Sequence, residues 1–490
     1  MIAFDNLGLL ATLEVYKLRA TEGSEGFNAL GLPMGTDEEF IVQRRFPVAT
    51  IGIIVVNVVI YLLTSFRRGF VQIDDVTAYS LGFVPIFFVK EPLTYLYHIV
   101  TSMFLHAHIA HIFFNMLYLY VFGRAVENVV GSLRFLILYL ISGFVASLFH
   151  TVFSLLGGPV QLFIPAIGAS GAISGILGSY LILFPGTSLT LCFWWWFFPL
   201  CFSMRASVYL VLWFALQVFN GYYSASIGGA GVAFFAHVGG FIAGIAALPI
   251  VIDEERHRYL RERADLFQRY LSYIKFGFYE YYERVRGLGP LTKLALVFLL
   301  VCVVAGATYI YLSTPSSTQY FLVSTKCIKI DAITGRNVSS ASYVNVAVHP
   351  SGMGLASTFD DVRILMNRLL RIGILQDPDV VRSLEEKPRK MYVVVKGVRV
   401  PIYIEVSYAK IVDSAVVRVR GTLSTYPVVE TVWGTYTLDR RFVYYYPYFD
   451  VVRETVGLGF VEVLAILCIA ITSGAIYVAL AKDRELTLVS

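Results

Sequence analysis

Apolar and polar stretches alternate along this chain on the scale of whole helices. The pattern predicts spanning segments near residues 47–66, 98–127, 133–156, 207–219, 228–252, 291–312 and 456–481, several of them reaching the ~20 apolar residues that cross a bilayer. One more begins near Gly168 and stops at Phe184-Pro185, short for a full crossing. Between them, residues 84–89 are apolar but too short to span and are expected in the interface. The aromatic 186–205 loop, with Trp194-Trp195-Trp196, is expected at the inner interface. Residues 1–45 form a polar lead. Residues 253–290 alternate charge and aromatics, as in a charged amphipathic helix on the cytosolic membrane surface. Residues 313–455 read as a soluble α+β domain. Strands are expected at 392–395 and 416–419, and Val362, Leu365, Leu369 and Ile372 give helical spacing over 359–374. The fold class is therefore an all-α polytopic membrane protein: a six-helix core over 46–252, two further transmembrane helices at 291–312 and 456–481, and the α+β domain between them. A short tail, 482–490, follows.

Composition agrees, with 57% hydrophobic and 15% charged residues in 490 and a mean hydropathy of +0.68. The net charge of +5 is too mild to argue for nucleic acid. Its basic residues bear on orientation instead. Arg44, Arg45, Arg124, Arg134, Arg205, Arg256, Arg258, Arg261 and Arg263 fall on one side of the eight-span pattern, and Arg67, Arg68 and Lys90 on the other. Positive-inside bias predicts cytosolic N- and C-termini and an extracytoplasmic 313–455 domain. The acidic residues of 1–45 do not fit a signal peptide, so the first span is expected to serve as an uncleaved insertion signal. Of five cysteines only Cys327 lies in the polar region, so no disulfide can staple that region internally.

Candidate chemistry lies in the apolar segments, where ionisable groups are expensive. Ser170 sits in Gly168-Ala-Ser-Gly171 just after Pro165, at an expected helix N-terminus where free N–H groups favour developing negative charge. The second segment carries His106, His108, His111 and Asn115, the last two i, i+4 on one face. The sixth carries His237, with Gly240 and Gly244 as a small-residue stripe below it. Ser170, Ser174 and Gly178 form a matching face on the fourth, with Gly171 and Gly175 beside it. Two such faces let helices approach closely, which would bring Ser170 within reach of His237. A serine needs such a base to become a nucleophile. His111 and Asn115 could then donate to an oxyanion, beside the Ser170 N–H. Three alternatives stand beside this reading. The glycines could serve packing alone, His237 could be an interhelical hydrogen-bond partner, and His106, His108 and His111 have a spacing that metal binding permits. A transporter would use the histidines along an ion path.

The order Phe104-Leu-His106…His111-Ile-Phe-Phe-Asn115, Gly123-Arg-Ala-Val-Glu127, Gly168-Ala-Ser-Gly171 and Ala236-His237-Val-Gly-Gly240-Phe-Ile-Ala-Gly244 resembles the rhomboid family of intramembrane serine proteases over about residues 46–252. The resemblance implies Ser170 as nucleophile, His237 as base, and His111 and Asn115 at the oxyanion. It implies His106 as a brace for the site and Glu127 as an anchor for loop structure. It also implies transmembrane proteins in the lipid bilayer as substrates, and no cofactor. Two positions depart from the pattern: the first loop has no tryptophan, and the fourth residue after the nucleophile is Ser174 rather than an aromatic. Residues 253–490 resemble no known family, and the 313–455 domain is a candidate surface for partners. An inactive rhomboid-like binding or chaperone protein is the alternative function.

Overall fold

The computed structural model describes residues 32–36, 46–73, 75–195, 198–226, 233–276, 287–348, 375–395, 397–430 and 435–489. The helix expected at 359–374 lies outside them. The chain divides into two compact units, and the described parts are a helical unit that includes Leu458–Ser490 and a β-rich unit over Ser317–Gly457.

In the helical unit each apolar segment forms a helix: α1 Val48–Ser65, α2 Ile109–Val130, α3 Ser132–Ser154, α4 Ser170–Leu183, α5 Ala206–Ser226, α6 Phe234–Val251, α7 Pro290–Ser313 and α8 Gly459–Tyr477. By length and composition, six helices among the described residues could cross a membrane, α1, α2, α3, α6, α7 and a helix continuing α8 to Leu486. The other two differ for separate reasons. α5 carries Gln217 and Asn220, and α4 has only 14 residues. At 1.5 Å per residue α4 is about 21 Å long, against an apolar bilayer thickness of about 30 Å. All of its residues are buried, so neighbouring helices enclose it completely.

Three expectations are corrected. The second span is broken: a short helix, Tyr97–Ser102, ends before α2 begins at Ile109, so His106 and His108 precede the spanning helix. The 186–205 loop is a hairpin of strands, β2 Ser188–Trp195 and β3 Phe198–Arg205, with Cys192 and Cys201 opposite each other and joined in a disulfide. A third strand, β1 Leu32–Thr36 from the supposed polar lead, pairs antiparallel with β2. The 84–89 segment forms the helix Pro85–Lys90, with Ile86, Phe88 and Val89 buried.

Glu127 of α2 receives the start of α1. Its carboxylate accepts from the Ala49 and Thr50 N–H groups, both at 2.8 Å, from the Thr50 hydroxyl at 2.7 Å and from the Ser132 hydroxyl at 2.6 Å. A carboxylate there satisfies free N-terminal donors and complements the helix dipole. After α8 the chain turns back under the core. The Leu488 N–H donates to the Leu183 carbonyl at 2.8 Å, the Thr487 hydroxyl to the Ile182 carbonyl at 2.8 Å, and the Gly186 N–H to the Val489 carbonyl at 3.1 Å. This segment thus satisfies carbonyls that the end of a short buried helix leaves open. His257, in the helix Glu254–Phe276, is bonded to the Leu486 carbonyl at 2.9 Å, which holds the same segment from the other side.

The β-rich unit is built on a six-stranded antiparallel sheet, ordered β5-β4-β11-β8-β7-β6. The strands are β4 Ser317–Asp331, β5 Asn337–Val348, β6 Arg389–Val395, β7 Val398–Val412, β8 Ala415–Thr425 and β11 Phe442–Gly457; β9 Val428–Glu430 and β10 Tyr436–Leu438 form a separate pair. Alternation in β7 buries Val400, Ile402, Ile404 and Val406, which share a core with Val381 and Leu384 of the helix Pro378–Glu386.

Candidate active site

Small residues set the distance between α4 and α6. A Cβ on Gly240 would lie 1.9 Å from the Gly171 carbonyl oxygen, and one on Gly244 would lie 1.8 Å from that of Gly175. Backbone therefore meets backbone along the glycine stripe, as in close-packed membrane helices. The Ser179 hydroxyl adds a bond to the Gly244 carbonyl at 2.9 Å. The contact places Ser170, the first residue of α4, beside His237, near the start of α6. Ser170 Oγ and His237 Nε2 are 2.8 Å apart, and both residues are buried.

Gly168 has φ +123°, which L side chains rarely adopt, and a Cβ there would lie 2.8 Å from His111 Nε2 and 3.6 Å from Ser170 Oγ. The imidazole of His111 and the hydroxyl of Ser170 thus border the same gap. His111 Nδ1 accepts a long bond, 3.4 Å, from the Ala107 N–H, which leaves Nε2 to carry the ring proton. His108 caps α2, its side chain accepting from the His111 N–H at 3.1 Å. His106 is fully buried and packs edge-on against His111, with ring centroids 5.0 Å apart. Asn115, one turn beyond His111 on α2, is buried, and among the described residues its amide nitrogen has no hydrogen-bond partner. Among the described residues no group of three or more His, Cys, Asp and Glu side chains is placed to hold a metal ion.

Two further groups reach the histidine from α5. His237 Nδ1 lies 2.9 Å from Gln217 Oε1, and the Trp213 ring lies 6.2 Å from the imidazole, centroid to centroid. Trp213 and Gln217 are i, i+4 on one face; a glutamine one turn beyond a tryptophan in an apolar helix was the available signal. An aromatic ring thus lies near the imidazole although position 174 is a serine. Ser174 turns its hydroxyl back to the Ser170 carbonyl at 2.7 Å. The first loop is held without a tryptophan. The Tyr61 hydroxyl bonds the Phe70 and Val71 carbonyls at 3.0 and 2.9 Å, and Ile73 and Val71 bond to Ala107 and Ile109 at the entry to α2.

The helical unit belongs to a multi-pass membrane protein that brings a buried serine and a histidine into hydrogen-bond contact. Residues 93–254 match the Rhomboid domain, so this part of the chain is similar to the rhomboid family. It is similar to the rhomboid protease GluP of Bacillus subtilis, 33% identical over 144 residues, which are 29% of this chain and 26% of that protein. The putative rhomboid protease YdcA of the same organism is 31% identical over 142 residues, 29% of this chain and 64% of YdcA. The match therefore spans less than two thirds of either relative. Inactive rhomboid protein 1 of Drosophila melanogaster is 29% identical over 102 residues, 21% of this chain and 7% of that protein. No solved structure matches.

Proposed function

We propose that this protein is an intramembrane serine endopeptidase that cleaves membrane proteins in or near their transmembrane segments. The observation that carries the reading is the 2.8 Å contact between Ser170 Oγ and His237 Nε2, inside a buried site. Ser170 attacks the scissile carbonyl while His237 takes its proton. The negative charge that develops on the carbonyl oxygen is met by the Asn115 amide, His111 Nε2–H and the Ser170 N–H at the free start of α4. His237 returns the proton to the leaving amine, and water then resolves the acyl-enzyme by the same route. The fourth and fifth helices complete an eight-span arrangement with cytosolic termini. Residues 313–455 then lie outside the cytosol, where they select substrates by their exposed portions.

The test is cleavage of a panel of transmembrane substrates by purified protein in liposomes. Ser170→Ala, His237→Ala and the double variant should be about equally inactive, the non-additivity expected of groups that act as one unit. Partial losses that multiply in the double variant would overturn the pairing. Binding of the same substrates with no Ser170-dependent product would instead support a non-hydrolytic role.

A further inference from the structure

We propose that Gln217 is a positioning residue that holds His237 in the tautomer able to take the Ser170 proton, so that serine, histidine and glutamine are lined up by hydrogen bonds. The proposal rests on the protease reading. An amide oxygen can only accept, so the 2.9 Å contact from Gln217 Oε1 requires the proton on His237 Nδ1. Nε2 then turns its lone pair to the Ser170 hydroxyl, 2.8 Å away. With no acceptor at Nδ1, the two tautomers compete, and one of them puts a proton between Nε2 and Oγ where the lone pair is needed.

The setting argues for a use beyond filling space. Gln217 is 1% exposed in a helix whose buried neighbours include Trp213, Phe214 and Val218. A buried polar group in such a helix is costly unless its bonds are made. A neutral amide fixes the tautomer without adding a second buried charge, whose desolvation would have to be offset. The helix that carries it is itself secured. The Tyr222 hydroxyl, at the far end of α5, donates to the Cys302 carbonyl of α7 at 2.8 Å. A Cβ on Gly306 would sit 2.1 Å from that hydroxyl, so the glycine leaves room for it.

The test compares Gln217→Met, which keeps length and removes the acceptor, with Gln217→Glu, which keeps the acceptor. Cleavage of a transmembrane substrate in liposomes is followed beside wild type and Ser170→Ala. Gln217→Met should lower kcat several-fold, in proportion to the molecules left in the wrong tautomer, with KM unchanged. Gln217→Glu should exceed it. A role in packing alone predicts the reverse order, since methionine suits a buried apolar helix better than a carboxylate. Nitrogen-15 NMR of histidine-labelled protein reads the tautomer without any turnover, with the His237 signal assigned by its loss in His237→Asn. Wild type should show Nδ1 protonated, and Gln217→Met should lose that preference. An unchanged kcat in Gln217→Met, a loss confined to KM, or the same tautomer in both proteins would overturn the proposal. Absence of Ser170-dependent cleavage in wild type would instead remove the protease reading, and the NMR comparison would still decide the role of Gln217.

Discussion

Replacing Gly240 by alanine tests whether helix separation sets the chemistry. The added Cβ would start 1.9 Å from the Gly171 carbonyl oxygen, whereas real Cβ atoms essentially never come within 3.0 Å. The atom it meets is backbone, which cannot rotate aside, so α4 and α6 have to part by about 1.1 Å, the difference between 3.0 and 1.9 Å. Gly171 follows Ser170 directly and Gly240 lies one turn from His237, so the displacement acts on the reacting pair. Taken fully along the Ser170–His237 direction it would lengthen the 2.8 Å contact to about 3.9 Å, past hydrogen-bond range. A 1 Å misplacement costs on the order of 100-fold in rate, and overpacking costs about 1–3 kcal/mol in stability. Gly240→Ala should therefore lose about two orders of magnitude in kcat while its unfolding midpoint falls only modestly. Gly52→Ala on α1, where the added Cβ meets nothing within 4 Å, is the matched control and should cleave normally. Both variants are assayed on one transmembrane substrate in liposomes, with thermal unfolding in the same detergent. A folded Gly240→Ala that turns over at the wild-type rate would refute the argument that the glycine contact holds Ser170 against His237.

Asn115→Ala should reduce kcat about 10²–10³-fold, the cost of one oxyanion donor, because the Ser170 N–H and His111 remain; wild-type turnover in a folded variant would exclude Asn115 from that role. His257 titrates below its ordinary 6.5, because burial, helped by the Arg261 charge, outweighs the stabilising bond to the Leu486 carbonyl. The folded state therefore takes up its proton at lower pH than the unfolded state, and docking of residues 486–489 is at full strength above about pH 6.5 and weakens as pH falls through the folded value. Proteolysis near Leu486 should accelerate on acidification in wild type and lose that dependence in His257→Gln. Ile333, 83% exposed in the turn between β4 and β5, reports sidedness: Ile333→Cys should react with a membrane-impermeant maleimide on intact cells, and labelling only after lysis would reverse the proposed orientation.

The parts of the site that repeat along helices were legible in the sequence. His111 and Asn115 fall at i, i+4, and the glycine faces of α4 and α6 mark the close approach that joins Ser170 to His237. Gln217 was hidden because an isolated buried glutamine sets no periodicity in α5, and its partner lies 20 residues away across a helix contact. The break between Ser102 and Ile109 was masked because the apolar pattern runs through it, although His108 is the N-cap there. The β2–β3 hairpin was concealed by its own aromatic run, and β1 by the short polar segment around it. In the β-rich unit, the sequence pattern predicts strands only at 392–395 and 416–419. The long β4 and β11 contain lysines, tyrosines and acidic residues that blur alternation, and their pairing over most of their length is a long-range property.

The return of the chain beneath α4 gives assembly of the helical unit a schedule. Thr487 bonds to Ile182 across 305 residues. At about 5–20 residues per second, synthesis of that interval takes roughly 15–60 s after the serine-bearing helix has been made. During this time the end of α4 lacks the strap that completes it, and the β-rich unit is made in full before the strap arrives. Newly made copies thus pass their membrane insertion before the carbonyls at the end of α4 have the partners that Thr487 and Leu488 supply.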